Sequence, residues 1–281
     1  MASKKKVLLI DRLLNEGWFE NAKQAEAWIM ERKVLVKNDL AYSGKILVSP
    51  TDPIRVKDYE KSKYASRGGY KLEGALKAFH IDTEGKVVLD CGASTGGFSD
   101  CLLQNGAACV YAVDVGYGQI AGKVSTNPRV VNMEKTNLSD ERLLTLDPRP
   151  EMITLDLSYL SLKKALPICR NILHEDGKVV ALVKPLFEVE SSDIRRTGEI
   201  NDRETLKSLL LDLCEYFDRM DFGILGVTYS PIRGNNGTIE YFLYLDCGKK
   251  ACEGLKNGYQ EEVEKIVEAS FAVDMDCGKA D

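Results

Sequence analysis

The sequence has only two histidines, His80 and His174, and its eight cysteines include no C-x-x-C pair. A structural zinc site needs close pairs of such ligands, so no metal is expected. The same scarcity weighs against hydrolases built on a histidine base, since that chemistry needs a group titrating near neutrality. Long apolar runs are missing too. The longest hold about five residues, as in Val179–Val183, where a membrane-spanning helix needs about 18. Lys4, Lys5 and Lys6 are followed by only four apolar residues before Asp11 and Arg12, too few for a secretory signal. A cytoplasmic protein with reduced thiols is therefore expected. Internal repeats and low-complexity segments are also lacking.

What is present is ordinary globular material: 281 residues, 44% apolar and 29% charged. That length exceeds one typical domain and suffices for a sizeable core. The net charge of −5 argues against a nucleic-acid partner until its distribution is considered. Residues 1–71 carry 15 basic and 9 acidic side chains, net +6, and the remainder 23 and 34, net −11. A basic module on an acidic body suits local contact with a polyanion, although a solvated lysine face gives the same count.

Apolar spacing predicts a helix over Lys6–Asn15 ended by Gly17, and a second after Asn21 as N-cap. Short alternating segments follow at Val34–Val36, Ala41, Ile46–Val48 and Ile54–Val56, with a turn at Asn38-Asp39. This small α+β unit covers residues 1–58. The polar stretch 59–67 reads as a linker. From residue 68 to about 250 strands and helices alternate, which predicts a mostly parallel sheet covered on both faces. Strands are expected at Val87–Asp90, Cys109–Val115, Val130–Met133, Met152–Asp156 and Val179–Lys184. Helices are expected at Lys71–Phe79, Gly97–Asn105, Asp140–Leu146, Leu162–Leu173 and Arg203–Arg219. Two consecutive strands, Ile224–Ser230 and Gly237–Leu245, joined by Pro231–Asn236, form a hairpin, so the sheet should end on an antiparallel strand. Residues 251–281 read as a last helix, Leu255–Phe271, and a disordered tail.

Asp90-Cys91-Gly92-Ala93-Ser94-Thr95-Gly96-Gly97 joins the first strand of this sheet to a helix. Glycines there permit a tight turn and close approach of a ligand to free helix N–H groups. Ser94 stands where the dinucleotide pattern G-x-G-x-x-G has its second glycine, so a ligand without a pyrophosphate fits better. Asp114, ending the second strand, is placed to hold ribose hydroxyls. Cys91 reads as packing. In such sheets the site lies beyond the carboxyl ends of the strands. Asp156 and Lys184 stand there, and a charge ending an apolar strand is costly unless it is paired or useful. Glu240 is either a buried strand carboxylate or an edge residue facing water, and Lys71 on pattern alone is a helix-surface lysine.

Ser66–Leu72, Asp90–Phe98, Asp114–Gln119, Asp156–Ser158, Val183–Glu188 and Glu240–Phe242 together resemble the TlyA (hemolysin A) family. The catalytic portion is similar to FtsJ/RrmJ-type ribose methyltransferases. Residues 7–56 resemble the RNA-binding domain first seen in ribosomal protein S-four, with Asn21-Ala22 where that domain has Ser-Arg.

The resemblance implies a Rossmann-like methyltransferase sheet preceded by a small α+β RNA-binding domain. It implies S-adenosylmethionine as cofactor and cytidine 2′-hydroxyls of ribosomal RNA, free or in ribosomal subunits, as substrate. It also implies a catalytic tetrad of Lys71, Asp156, Lys184 and Glu240. Cofactor contacts fall on Asp90, Gly92, Ala93, Ser94, Gly96, Gly97, Phe98, Asp114 and Asp156. Phosphate contacts are expected from Lys5, Lys6, Lys23, Lys33, Lys37, Lys45, Arg67 and Lys135, with affinity falling steeply with salt. Three other readings stay open: a small-molecule methyltransferase, a non-enzymatic RNA-binding or ribosome assembly factor on the same scaffold, and membrane lysis. Against lysis stands the acidic run Glu261, Glu262, Glu264 and Glu268, which anionic lipid repels.

Overall fold

The computed structural model describes residues 6–16, 18–19, 21–57, 63–189, 200, 202–234, 237–248, 255 and 258–272. The chain divides into two compact units, Met1–Ser66 and Arg67–Asp281. In the first, β1 (Val7–Leu8) pairs antiparallel with β4 (Leu47–Val48). Two helices follow β1, namely α1 (Leu9–Asn15) and α2 (Ala22–Met30). Asn21 caps α2, its side chain accepting from the Gln24 N–H at 3.0 Å. A three-stranded sheet has the order β3 (Asp39–Leu40), β2 (Val34–Val36), β5 (Ile54–Val56). Leu9, Leu13, Ala25, Ile29, Val34, Val48 and Val56 share the small core.

Three expectations shift here. Val7 and Leu8 are strand and not helix, because Val48 and Leu47 offer them a partner. The tight turn sits at Lys37-Asn38, one residue early, both with positive φ (53° and 72°) between the paired Val36 and Asp39. That is the twist a two-residue hairpin requires. The proposed linker is partly core, since Tyr64 is 2% exposed and Ala65 is also buried. The expected Gly17 cap and the tail beyond residue 272 lie outside the described residues.

The second unit is a seven-stranded, mostly parallel sheet of Rossmann-like type. Its strands are β6 (Val87–Cys91), β7 (Cys109–Asp114), β8 (Val130–Glu134), β9 (Met152–Leu155), β10 (Lys178–Val183), β11 (Gly223–Tyr229) and β12 (Tyr241–Asp246). Their order is β11-β12-β10-β9-β6-β7-β8. The chain runs outward from β6 to β8 and then returns to β9 on the other side of β6. The carboxyl ends of β6 and β9 thus form a topological switch point, where such sheets open a crevice. β12 is antiparallel to both neighbours. It is last in the chain but lies one place in from the edge, so the edge-strand reading of Glu240 no longer applies.

The helices are α3 (Gly68–Ala78), α4 (Gly97–Gln104), α5 (Gly122–Ser125), α6 (Leu162–Ile172), α7 (Pro185–Glu188), α8 (Arg203–Arg219) and α9 (Tyr259–Ala272). A 3₁₀ turn at Glu141–Thr145 replaces the expected helix over 140–146. Leu166, Cys169, Leu210, Leu213 and Phe217 from α6 and α8 cover one face of the sheet, packing on Ile153, Val179, Ala181 and Leu243. Among the described residues no helix is long and apolar enough to cross a membrane.

Candidate active site

At the switch point the chain leaves β6 through three left-handed residues, Gly92 (φ 87°), Ser94 (φ 47°) and Gly96 (φ 88°). A Cβ on Gly92 would lie 2.3 Å from the carbonyl oxygen of Asp156, which follows β9. The departure from the dinucleotide pattern is therefore one of residue only, since Ser94 adopts the left-handed conformation a glycine takes freely. Strain of that kind persists where surrounding structure fixes it. Here the fixing group is Asp114: its carboxylate accepts from the Ser94 N–H at 2.7 Å and the Gly116 N–H at 2.6 Å. A carboxylate has about four acceptor sites, so Asp114 keeps capacity for ligand hydroxyls. Beside it, β8 ends in Glu134, which accepts from the Gln119 N–H and is thereby held below the usual carboxylate range.

The residues around the turn divide by burial. Gly92 is half-buried and Ser94 exposed, whereas Ala93, Gly96, Gly97 and Phe98 are buried. Phe98 packs its ring against Phe242 at 6.2 Å, so its contribution is to seat α4. Asp90, expected among the cofactor contacts, lies deepest of them. It is wholly buried beneath the turn, accepting from Ser99 Oγ at 2.6 Å and Thr154 Oγ1 at 3.0 Å. It ties β6 to α4 and β9, with none of its surface exposed. Cys91 is buried, and burial first and the Asp90 and Asp114 charges next push its thiol up to about 12, which suits packing and not reactivity.

Burial also raises the Asp90 carboxyl to about 6 from an ordinary 3.8, against the lowering effect of its two hydroxyl donors. The folded chain then holds a proton that the unfolded chain releases between these values. Stability from this group is full below about pH 4 and is lost as pH rises through 6, by an amount of order 2–3 kcal/mol. Asp90→Asn, which cannot titrate, should therefore gain on the wild type between pH 4 and pH 7 in urea midpoints. A difference independent of pH would contradict this.

The four charged candidates form two ion pairs. Lys184 Nζ lies 2.5 Å from Asp156 Oδ1 and donates to Ser158 Oγ at 3.3 Å. Lys71 Nζ lies 2.5 Å from Glu240 Oε2, with side chains only 13% and 6% exposed. Val183 faces Tyr241 across the β10–β12 ladder, and Lys184 and Glu240 are the next residues outward on the two strands. Glu240 precedes β12 and is not within it; Gly234 abuts it so closely that a Cβ there would meet Oε1 at 2.3 Å. Lys71 reaches it from the first turns of α3, whose Gly74 lets Pro231 approach. Lys71, the least legible of the four, is thus no surface lysine.

Around this edge stand groups the sequence pattern did not reveal. Tyr159 is 91% exposed at φ 68°, with its ring 5.2 Å from that of Phe187. Lys123 of α5 pairs with Asp100 of α4 at 2.7 Å. A large aromatic three residues after a catalytic-type Asp was the available signal for the first; the second joins residues in separate elements and left none.

The basic candidates fare unevenly. Lys6, Lys23 and Lys45 are exposed, while Lys5 lies outside the described residues. Lys33 is paired with Glu31 at 3.1 Å and sits over the Trp28 ring, and Lys37 is paired with Asp52 at 3.0 Å. Arg67 is exposed and donates to the Arg233 carbonyl at 3.0 Å; Lys135 lies 4.1 Å over the exposed Tyr117 ring. Among the described residues no three His, Cys, Asp or Glu side chains gather as a metal site would require.

The FtsJ-like methyltransferase family matches residues 64–247. The chain is 36% identical over 233 residues to the 16S/23S rRNA (cytidine-2′-O)-methyltransferase TlyA of Mycobacterium tuberculosis, covering 83% of this chain and 87% of that one. It is 37% identical over 232 residues to Hemolysin A of Brachyspira hyodysenteriae, covering 82% and 96%. Among solved structures, a hemolysin-named chain from Streptococcus thermophilus superposes with a TM-score of 0.70 at 32% identity, covering 96% of this chain and 98% of that one.

Proposed function

The chain belongs to the FtsJ-like methyltransferase family, whose cofactor is S-adenosylmethionine, and from that premise we propose that it methylates cytidine 2′-hydroxyls in ribosomal RNA. The observation that carries this reading is the convergence of the Lys184–Asp156 and Lys71–Glu240 pairs on the sheet edge that also bears the Gly92 turn. The turn fits the cofactor: Gly92 and Gly96 let it fold tightly against Asp156 and Val124 in left-handed conformations, and Asp114 retains acceptor capacity for ribose hydroxyls. S-adenosylmethionine supplies a methyl already activated on a sulfonium. What remains for the protein is alignment and one proton, because a ribose hydroxyl is a weak nucleophile at pH 7.

In this account Lys184 acts as the neutral amine and takes the hydroxyl proton, after the ammonium of the ion pair has given one proton up to solvent. Asp156 and Ser158 fix its Nζ, and Lys71 places positive charge where the alkoxide develops, as a preorganised donor does. Glu240 orients Lys71. The exposed ring of Tyr159 offers a face for a base turned out of its stack, which an enzyme working on a paired nucleotide requires. Lys6, Lys23, Lys45, Arg67 and Lys135 are the side chains proposed to hold phosphates, which position RNA without selecting its sequence. Lys33 and Lys37 would first have to leave their carboxylate partners.

The test is transfer of labelled methyl from S-adenosylmethionine to ribosomal subunits, followed by nuclease digestion. Label is expected in 2′-O-methylcytidine. Label on small metabolites alone, or RNA binding without transfer, would replace this reading by a small-molecule methyltransferase or an assembly factor. Asp114→Ala removes the group that braces Ser94 and is proposed to meet the ribose. Calorimetry with S-adenosylhomocysteine should show affinity lowered by about 10- to 100-fold, about 1.4–3 kcal/mol; unchanged affinity contradicts the assignment.

A further inference from the structure

Glu188 ends the Val183–Glu188 segment, and the proton-transfer account leaves it without a task. The backbone ladder between β9 and β10 stops at the Leu155–Ala181 pair. Asp156 and Lys184 therefore stand one and three residues past the last point at which main-chain bonds set the distance between these two chains. Each is anchored to a different neighbour: the Asp156 N–H donates to the Cys91 carbonyl at 3.0 Å, and Lys184 follows the Val183–Tyr241 pair. The direct link between them at 2.5 Å is made by side chains. Beyond the ladder, the loop after β9 (156–161) and the turn of α7 meet through side chains. Phe187 faces Tyr159. Glu188 bridges the loops with both oxygens: Oε2 accepts from Ser161 Oγ at 2.7 Å and Oε1 accepts from the Leu162 N–H at 2.9 Å.

We infer that Glu188 is a positioning residue, cross-linking the Lys184 turn to the Asp156 loop so that the lysine–carboxylate pair keeps its spacing when RNA enters. Ser161 already caps α6 by itself, its Oγ accepting from the Lys163 N–H at 3.2 Å. A further carboxylate is thus not needed to start that helix. Pro185, the first residue of α7, restricts the backbone next to Lys184, so the one-turn helix carries Glu188 and Lys184 as a unit. Displacement of a reacting group by about 1 Å can cost about a hundredfold in rate, which is the scale on which such a cross-link acts.

The inference rests on the assignment of Lys184 and Asp156 above, and the experiment separates the two. Glu188→Gln keeps both contacts, its amide carbonyl accepting from Leu162 and its amide nitrogen donating to Ser161 Oγ. Glu188→Met keeps length and volume and accepts nothing. In the full chain, with labelled S-adenosylmethionine and ribosomal subunits from cells lacking the protein, the Met variant should lose roughly ten- to a hundredfold in kcat. The Gln variant should stay within about threefold of wild type, by the same geometric argument. Calorimetric affinity for S-adenosylhomocysteine should be unchanged in both. Ser161→Ala, which deletes one of the two bonds together with the α6 cap, should fall between them and serves if the Met variant does not fold. Equal loss in the Gln and Met variants, weakened cofactor binding in either, or full kcat in the Met and Ser161→Ala variants overturns the inference. If Lys184→Ala retains turnover, the site assignment itself fails.

Discussion

Lys184→Ala is expected to abolish methyl transfer while affinity for S-adenosylhomocysteine stays within about twofold. Proton transfer by a positioned side chain contributes about 10²–10⁴-fold, and Lys184 is also the group that draws Asp156 and Ser158 together over the crevice. The combined loss should approach the upper end of that range. Lys184→Arg should not restore turnover. A guanidinium keeps the positive charge and the carboxylate pairing but does not give up or take a proton at working pH. This separates a proton-accepting role from a merely electrostatic one. Cofactor affinity is the internal control, because the Gly92 turn and Asp114 are held by hydrogen bonds that do not involve Lys184. Turnover retained in the alanine variant contradicts the mechanism, and turnover restored by arginine reduces Lys184 to a source of positive potential.

Gly92→Ala should be nearly as damaging, through binding and not chemistry. Its Cβ would stand 2.3 Å from the Asp156 carbonyl oxygen and 2.9 Å from the carbonyl carbon, both main-chain atoms of the neighbouring strand's extension. Main chain at the end of a buried strand has little room to retreat. The left-handed φ of 87° adds the cost any side chain meets there, about 1–2 kcal/mol. Gly85 isolates that second cost: its φ is 71°, and nothing lies within 4 Å of where its Cβ would stand. Gly85→Ala should lower stability by about 1–2 kcal/mol and leave cofactor affinity alone. Gly92→Ala should lower stability by more and weaken S-adenosylhomocysteine by at least about a hundredfold, near 3 kcal/mol. Equal affinities for the two variants would show that the turn does not contact the cofactor.

Much of the fold could be read in advance because β-branched runs and helical periodicity alternate so regularly after residue 87. Arg203–Arg219 is as expected to the residue, capped by Asp202 through the Thr205 N–H. The failures are physical ones. The four-residue helices α5 and α7 are too short to show a period, and α7 follows a proline that periodicity cannot anticipate. The position of β12 inside the sheet depends on pairing not only with its hairpin partner β11 but also with β10, which is distant in sequence. Local pattern yields the hairpin and not the insertion.

The site shows the same division. Asp156 and Lys184 could be read from position, each just past an apolar strand of the parallel sheet. Lys71 could not, since the carboxylate that explains it, Glu240, is 169 residues away. Only resemblance to a family placed it. Asp90, a cofactor contact by resemblance, is turned inward by strand alternation onto Ser99 and Thr154, which the local sequence did not announce. Phosphate-binding lysines are the least legible class, because a solvated lysine and one waiting for RNA have the same local sequence. The pairs Lys37–Asp52 and Lys33–Glu31 emerge only once the chain is folded.

The most direct measurement is mass-spectrometric and primer-extension mapping of ribosomal RNA from cells with the protein, without it, and complemented with Lys184→Ala. The account predicts a discrete set of 2′-O-methylated cytidines that vanishes with the protein, returns with the wild-type chain and stays absent with the variant. Identical methylation in all three cells, or full restoration by Lys184→Ala, would contradict a lysine-driven ribose methylation at this sheet edge.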